Sequence, residues 1–587
     1  MTSDTAPRPA ELASGPADAG PAPGPASGPA PGPASGPAAG SVTERETVVL
    51  TGSDLTVDQV VAVARRRARV AVSPDALRRV VAAREVVERV LARDEPVYGL
   101  NTGLGSFAQY RVSQEQMRRF SFSVVADQTL SYGRLLPTEV VRAMMLTRAN
   151  GMAKAGVGVR RELVEMLVDA LNLGLHPQVR ELGSVGESDL AEMAEIGKVL
   201  IGVGRAELHG TVLPGAQALA RAGLAPIELA PKEALALISA NGLTLGRGAL
   251  VLNDVAELVD SLQIAAALSL EGFAGNLSVI HPGSARLSPQ IGPNTAAARL
   301  RQLLDSSYLW HPKAARNLQD PLSFRCVPRI HGAYYDALAY VRGELESELN
   351  AANDNPAVLI EEEAIVSGGN FDSSALAMAF DLVRLAIANA VKVANERVQK
   401  LLWREFSGLP SALATEEGVT NGLKQIGRTC ASIAADARSL ANPVSLDYVG
   451  QLAEGVEDYA SMAPSAVRKT SELVALTHSM VMYELIVAAQ AIEVRGRGPL
   501  GAGTQAALNV LRRHVPVLTD ETRWSPDLEG LMEVISNGRL GESVAERAGE
   551  RQSLSEQRGP GVLADDEVRE IERSEDPTHG ATPEAPR

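Results

Sequence analysis

Cysteine is nearly absent. Two occur in 587 residues, Cys326 and Cys430, too few for a disulfide framework or a zinc site of paired thiolates. Aromatic residues make up 4% and strand-like alternation is scarce, which disfavours a sheet-dominated fold. Basic charge is in deficit: 56 Lys and Arg stand against 71 Asp and Glu, a net −15. Such a balance argues against nucleic acid and anionic membrane as main partners. No uncharged apolar run approaches the roughly 20 residues that span a bilayer. Met1–Ala10 lacks the basic and apolar regions of a signal peptide. The expectation is a soluble, cytoplasmic protein. Short catalytic motifs are missing too: there is no His-Glu-x-x-His, Walker loop or Gly-x-Ser-x-Gly elbow. Gly202-Val203-Gly204 lacks the third glycine of a dinucleotide fingerprint, and the eight histidines are scattered without ligand-like neighbours.

What is present is apolar helix. Hydrophobic residues make up 45% of the chain, ample for a large core. From Ala13 to Gly40 the sequence is nearly all Pro, Ala, Gly and Ser, with one octapeptide starting at Pro23 and again at Pro31. Residues 1–45 are therefore expected to be a disordered tail, 46–541 a folded domain and 542–587 a second, charged tail. A short strand is predicted at 47–50, helices at 56–72 and 74–91. Long Ala- and Leu-rich helical patterns follow at 248–272, 333–350, 375–404, 421–440 and 465–491. The fold class expected is mainly α, a bundle of long helices.

The loops between helices carry the candidate chemistry. Gly183-Ser184-Val185-Gly186-Glu187-Ser188-Asp189-Leu190-Ala191 is a small-residue loop entering an amphipathic helix, where Ser188 suits a helix N-cap. Arg325, in Gln319-Asp320-Pro321-Leu322-Ser323-Phe324-Arg325, suits bidentate capture of a carboxylate, or an ion pair with Asp320. Tyr98, in a Gly-flanked loop, suits either a general base or half-buried packing. Glu457-Asp458 suits a basic substrate group or plain solvation.

Taken in order, these loops resemble those of the histidine and aromatic amino-acid ammonia-lyases over about 47–540. Tyr98-Gly99-Leu100-Asn101-Thr102-Gly103-Leu104-Gly105 is similar to the family's Tyr-Gly-x-Asn-Thr-Gly-Phe-Gly, whose tyrosine is the base. Arg148-Ala149-Asn150-Gly151-Met152-Ala153-Lys154 matches the helix that follows. Gln319 to Cys326 looks like Gln-Asp-x-Tyr-Ser-x-Arg-Cys, whose Gln and Arg touch the substrate. Asp354-Asn355-Pro356 and Ser367-Gly368-Gly369-Asn370-Phe371 match family segments, as does Glu457-Asp458-Tyr459-Ala460-Ser461-Met462-Ala463-Pro464. The resemblance implies a homotetramer whose active sites each draw on three chains.

Departures cluster where the family does chemistry. Its cofactor loop cyclises Ala-Ser-Gly into methylidene-imidazolone, the electrophile that helps the amine leave. Here Glu187-Ser188 is one residue short, and Asp189 follows Ser188 where the ring-closing Gly should stand. No cofactor is expected. The family's Tyr in the Gln-Asp-x-Tyr segment is Leu322, its substrate-selecting His is Gln128, and the His after Asn-Phe is Asp372. Its Asn of Asn-Gly-Thr falls on Ser239, with Asn241 two places on. Tyr98, Gln319, Arg325, Phe371 and Glu457 stay. The resemblance therefore implies a carbon–nitrogen lyase acting on an amino acid or betaine with a polar, imidazole-like side chain. Ergothionase-like relatives, which lack the imidazolone and expel trimethylamine, set the precedent. Glu187, in the vacated space, could pair with a cationic leaving group. A catalytically silent scaffold, and an ordinary histidine ammonia-lyase with an irregularly formed cofactor, are the alternatives.

Overall fold

Where Ala and Leu dominate, helix forms, because these side chains lose little freedom in it. The computed structural model describes residues 46–93, 95–447 and 449–547. The expected tails lie outside the described residues, except that the last described helix, Arg539–Arg547, runs past the boundary expected at 541. Five helices form the bundle: α1 (Thr138–Ala153), α2 (Gly242–Phe273), α3 (Val327–Leu349), α4 (Ser374–Leu402) and α5 (Ala463–Arg495). The helices α2 to α5 agree with four of the predicted long patterns to within six residues at each end, and the pattern at 421–440 is the helix Lys424–Leu440, whereas α1 was not among the predicted patterns.

The centre is α2, in which every residue but Arg247, Asp254 and Glu257 is buried. A helix apolar all round belongs inside a bundle. Its neighbours approach closely at small residues: a Cβ on Gly246 would lie 2.7 Å from the Met144 backbone nitrogen in α1, and one on Gly272 2.9 Å from the Ala488 carbonyl in α5. Three helical stretches, Glu233–Phe273, Ser374–Leu402 and Ala463–Arg495, reach the length and apolarity needed to cross a membrane. The expectation above counted uncharged runs only; admitting one or two charges changes that count. The apolar window of the first is 94% buried inside the subunit, but that of α4 only 56%. Met378, Leu382 and Leu385, one stripe of α4, stay exposed.

Two buried ion pairs tie elements of the fold together. Arg397 on α4 holds Glu484 on α5 through two bonds, Nε–Oε1 2.6 Å and Nη2–Oε2 3.0 Å, both side chains fully buried. Ser269 of α2 donates to the same carboxylate, and Arg397 also reaches the Ser323 carbonyl. Lys232 and Asp354 meet at 2.6 Å, also fully buried.

One predicted helix was too long. Val57–Ala64 is helical, with a reciprocal cap between Thr56 and Gln59, but Arg69–Val72 is a strand lying parallel to Thr47–Leu50. Arg67 at φ 57° breaks the helix, and β-branched Val70 and Val72 favour the pleat. The other strands are short and make small sheets beside the bundle.

Candidate functional site

The loop 183–189 links the strand Arg180–Leu182 to the helix Leu190–Leu200 and is pinned at both ends. The Met462 N–H donates to the Val185 carbonyl at 2.9 Å, and the Ser461 hydroxyl to the Gly186 carbonyl at 2.9 Å. Gly186, at φ 98°, has no room for a side chain: a Cβ would sit 2.3 Å from Ser461 Oγ. Inside the loop Ser184 Oγ donates to the Ser188 carbonyl at 3.1 Å and accepts the Gly186 N–H. Ser188 is not the helix cap that its sequence context suggests. It adopts φ 71°, a strained left-handed backbone for a non-glycine, and Asp189 takes the cap position. The Asp189 N–H donates to the Ala240 carbonyl at 2.8 Å, and its fully buried carboxyl accepts from the Thr244 N–H (2.8 Å) and hydroxyl (3.1 Å). Burial pushes its pKa up to about 6.

The same constraints bring Glu187, Phe371, Asn241 and Glu457 together. Glu187 forms an antiparallel bridge with Asp372, and the Asn241 amide donates to the Phe371 carbonyl at 2.8 Å. Ser239, also buried, ends the helix Glu233–Ile238 two residues before. Asn241 is thus the one whose side chain ties the α2 N-terminus to the 367–373 loop. The Glu187 carboxyl faces that of Glu457; burial first, then Glu457 and Asp458, push its pKa up to about 7. Its Oε1 is buried and has no donor, a need that a proton shared with Glu457 would meet. Glu457 comes from a tight hairpin in which the Leu452 N–H donates to the Glu457 carbonyl at 2.8 Å and the Glu457 N–H to that of Leu452 at 3.2 Å. Ala453 and Glu454 at its tip have φ of 45° and 56°, adjacent strained positions of the kind found at functional sites.

Against this tip packs the loop that carries Tyr98. Its glycines and Asn101 knit it: the Asn101 amide donates to the Glu95 carbonyl and accepts the Val97 N–H, each at 2.8 Å. Tyr98 is half-buried, and its hydroxyl oxygen accepts the Gly105 N–H at 3.1 Å. That donor points at the atom that bears the charge in a phenolate. Gly105 in turn lies against Ala453.

Gln319 and Arg325 lie elsewhere on the chain. Arg325 Nη1 donates to Gln319 Oε1 at 2.6 Å in an exposed setting, on the short helix Leu322–Arg325. Asp320, the alternative ion-pair partner, instead accepts the Asn276 N–H and the Asn317 amide. Leu322 is 61% exposed, and Gln128, just past the helix Gln114–Asp127, is exposed as well. Ser323, two residues before Arg325, is held by Arg397 near the C-terminal end of α4, whereas Asp372, bridged to Glu187, precedes its N-terminus. Within one chain the expected residues therefore fall into two groups, one built around Tyr98, Glu187 and Glu457, the other around Gln319 and Arg325.

Sequence reasoning missed Glu192. It sits on the first turn of the helix Leu190–Leu200, wholly buried, with neither carboxyl oxygen partnered. Burial and then Asp189 push its pKa up to about 8. The acid three places after Asp189 was the available signal, since that spacing puts both on one helix face.

The sequence profile of the aromatic amino acid lyase family matches residues 55–513. A histidine ammonia-lyase of Symbiobacterium thermophilum is 38% identical over 499 residues, covering 85% of this chain and 98% of its own. Among solved structures, the ergothioneine-degrading ergothionase of Treponema denticola, in complex with desmethyl-ergothioneine sulfonic acid, superposes with TM-score 0.82 at 32% identity. That match covers 84% of this chain and 99% of the other. A tyrosine aminomutase of Streptomyces globisporus gives TM-score 0.81 at 29% identity, covering 86% and 100%.

Proposed function

This chain belongs to the aromatic amino acid lyase family, a carbon–nitrogen lyase by membership, and we propose that it works without methylidene-imidazolone. On this reading it eliminates across Cα–Cβ of an amino acid or amino-acid betaine with a polar, imidazole-like side chain. The observation that carries the reading is the loop after Gly186. Closing the family's ring takes an attack by a glycine nitrogen on the carbonyl carbon two residues before it. Here the nitrogen after Ser188 belongs to Asp189, donates to the Ala240 carbonyl, and sits on a residue whose carboxyl is anchored by Thr244. These residues do not fit that ring.

Without the electrophile, the substrate must bring its own leaving group. A quaternary ammonium does so, because it departs as a neutral amine. The Tyr98 phenolate takes a β-proton, the C–H pair becomes the Cα=Cβ bond, and the Cα–N pair leaves with nitrogen, giving an acrylate and a trialkylamine. The Gly105 N–H stabilises the phenolate oxygen that starts the step. Arg325 and Gln319 clamp the substrate carboxylate, Glu457 accepts from the side chain, and Gln128, Phe371, Ser239 and Asn241 line the site. The separation of Arg325 from Tyr98 within one chain supports a homotetramer in which neighbouring subunits complete each site. The uncovered stripe Met378, Leu382 and Leu385 on α4 supports that assembly. The net charge of −15 supports a soluble, cytoplasmic enzyme of small molecules.

The test is an absorbance assay for acrylate on histidine, phenylalanine, tyrosine, arginine and the trimethylated betaines of the ring-bearing ones, with intact mass measured on the same protein. Turnover of a betaine alone, with no water lost from the mass, is the expected result. Turnover of free histidine with a loss of two waters would restore the ordinary histidine ammonia-lyase, the reading that the Symbiobacterium relative favours. Silence across the panel from a folded tetramer would leave a scaffold.

A further inference from the structure

The sequence suggests Glu187 as a partner for a cationic leaving group, and its surroundings define that role. It stands between the pinned ends of the loop, where the family would build its electrophile. Glu457 and Asp458 face it from the 452–461 segment, Asp372 bridges to it from the 367–373 loop, and Asp189 and Glu192 stand at the start of the next helix. The charges that hold its proton on are those of Glu457 and Asp458, both carboxylates. Independently of that acidic setting, its Oε1 is buried with no donor.

Resting on the lyase reading above, we infer that Glu187 seats the cationic nitrogen of the substrate while Glu457 takes the side-chain donor, so that Glu187 selects substrates whose leaving nitrogen carries a fixed positive charge. Two carboxylates this close do not both ionise readily, so the unliganded pair holds a proton, which the entering cation displaces. Toward a quaternary substrate Glu187 then acts on binding rather than on rate. Its attraction is to the ammonium before the Cα–N bond breaks, and it weakens as nitrogen leaves neutral, so it stabilises the bound substrate more than the transition state. A primary ammonium would also be attracted, but its N–H bonds to a carboxylate hold it back from leaving. A quaternary nitrogen has none.

The pH sign follows from the proton. Burial and its acidic neighbours hold the Glu187 carboxyl up to about 7, so below that pH it is neutral and attracts little. A quaternary substrate has no titrating nitrogen of its own. Its KM therefore falls about tenfold per unit as pH rises toward 7 and levels off above.

The experiment measures kcat and KM for histidine trimethyl betaine from pH 6 to 9, with the full-length wild type and Glu187→Gln. The expected result for the variant is a KM raised on the order of tenfold or more, nearly flat with pH, with kcat changed far less. Glu187→Asp should restore part of the pH dependence. Identical KM and pH profiles in wild type and Glu187→Gln overturn the inference. Calorimetric binding of the same betaine at pH 6 and 8 separates it from the lyase reading. Tighter binding at pH 8 that Glu187→Gln abolishes, with no acrylate formed, sinks the lyase reading and keeps this one. Absent or pH-independent binding by the wild type sinks this one.

Discussion

Buried charge is handled in opposite ways in two parts of this molecule. Between α4 and α5, Arg397 and Glu484 satisfy each other with two short bonds and support from Ser269. Around the loop 183–189, Glu187, Asp189 and Glu192 are gathered with no basic residue acting on them as a main influence, and their carboxyls are held up to about 7, 6 and 8. A pair that cancels its own charge holds a structure together. A gathering of one sign withholds stability and keeps affinity in reserve. The difference separates what the chain needs in order to fold from what it needs in order to act.

The largest effect expected bears on action. Tyr98→Phe should cut acrylate formation about 10²- to 10⁴-fold while leaving the urea midpoint near that of wild type, because the ring stays in place; an unchanged rate would remove Tyr98 as the base. Next, on the folding side, Glu484→Ala strands Arg397 in the interior and should cost about 3–5 kcal/mol in urea denaturation. A loss below about 1 kcal/mol would show that the pair contributes little to the bundle. Arg325→Lys should raise KM on the order of tenfold with the fold intact, since a single ammonium replaces a planar fork. An unchanged KM would remove Arg325 from the substrate site.

The smallest effect is the sharpest test of the contrast. Glu192 holds its proton in the folded chain up to about pH 8, whereas the unfolded chain gives it up near the ordinary Glu value. The folded state binds more protons between those limits, so stability falls as pH rises through them and levels off above. Glu192→Gln should remove that slope, leaving the variant more stable than wild type at pH 8 by on the order of a few kcal/mol and about equal near pH 4. An equal slope in both would mean that the carboxyl finds a partner in solution.

Much of this was legible in the sequence, for identifiable reasons. The long helices declared themselves because Ala and Leu runs such as 261–270 favour no other conformation as strongly, and the family followed from the order of its loops, among them the Gly-rich segment at 98–105 and Asp354-Asn355-Pro356. The break at Arg67 was hidden, since 65–68 carries no Gly or Pro to mark it and only a left-handed φ reveals it. Ser188 looked like a cap because capping depends on backbone angles that composition does not encode. Burial of Glu192 could not be read either: a charged residue on a first helical turn normally faces water. The different surroundings of Arg325 and Tyr98 are a property of tertiary placement, invisible to a linear comparison.

The pins on the short loop have a last consequence, for how this site can change over generations. Val185 and Gly186 are fastened to 461–462, and Asp189 to Ala240 and Thr244. The backbone enters and leaves at fixed points whatever lies between. Residues 187 and 188 are thus a replaceable insert in a rigid socket. A lineage could trade a self-made reagent for a carboxylate there without re-solving the folding of the rest, and a protein engineer could use the same two positions as a cassette.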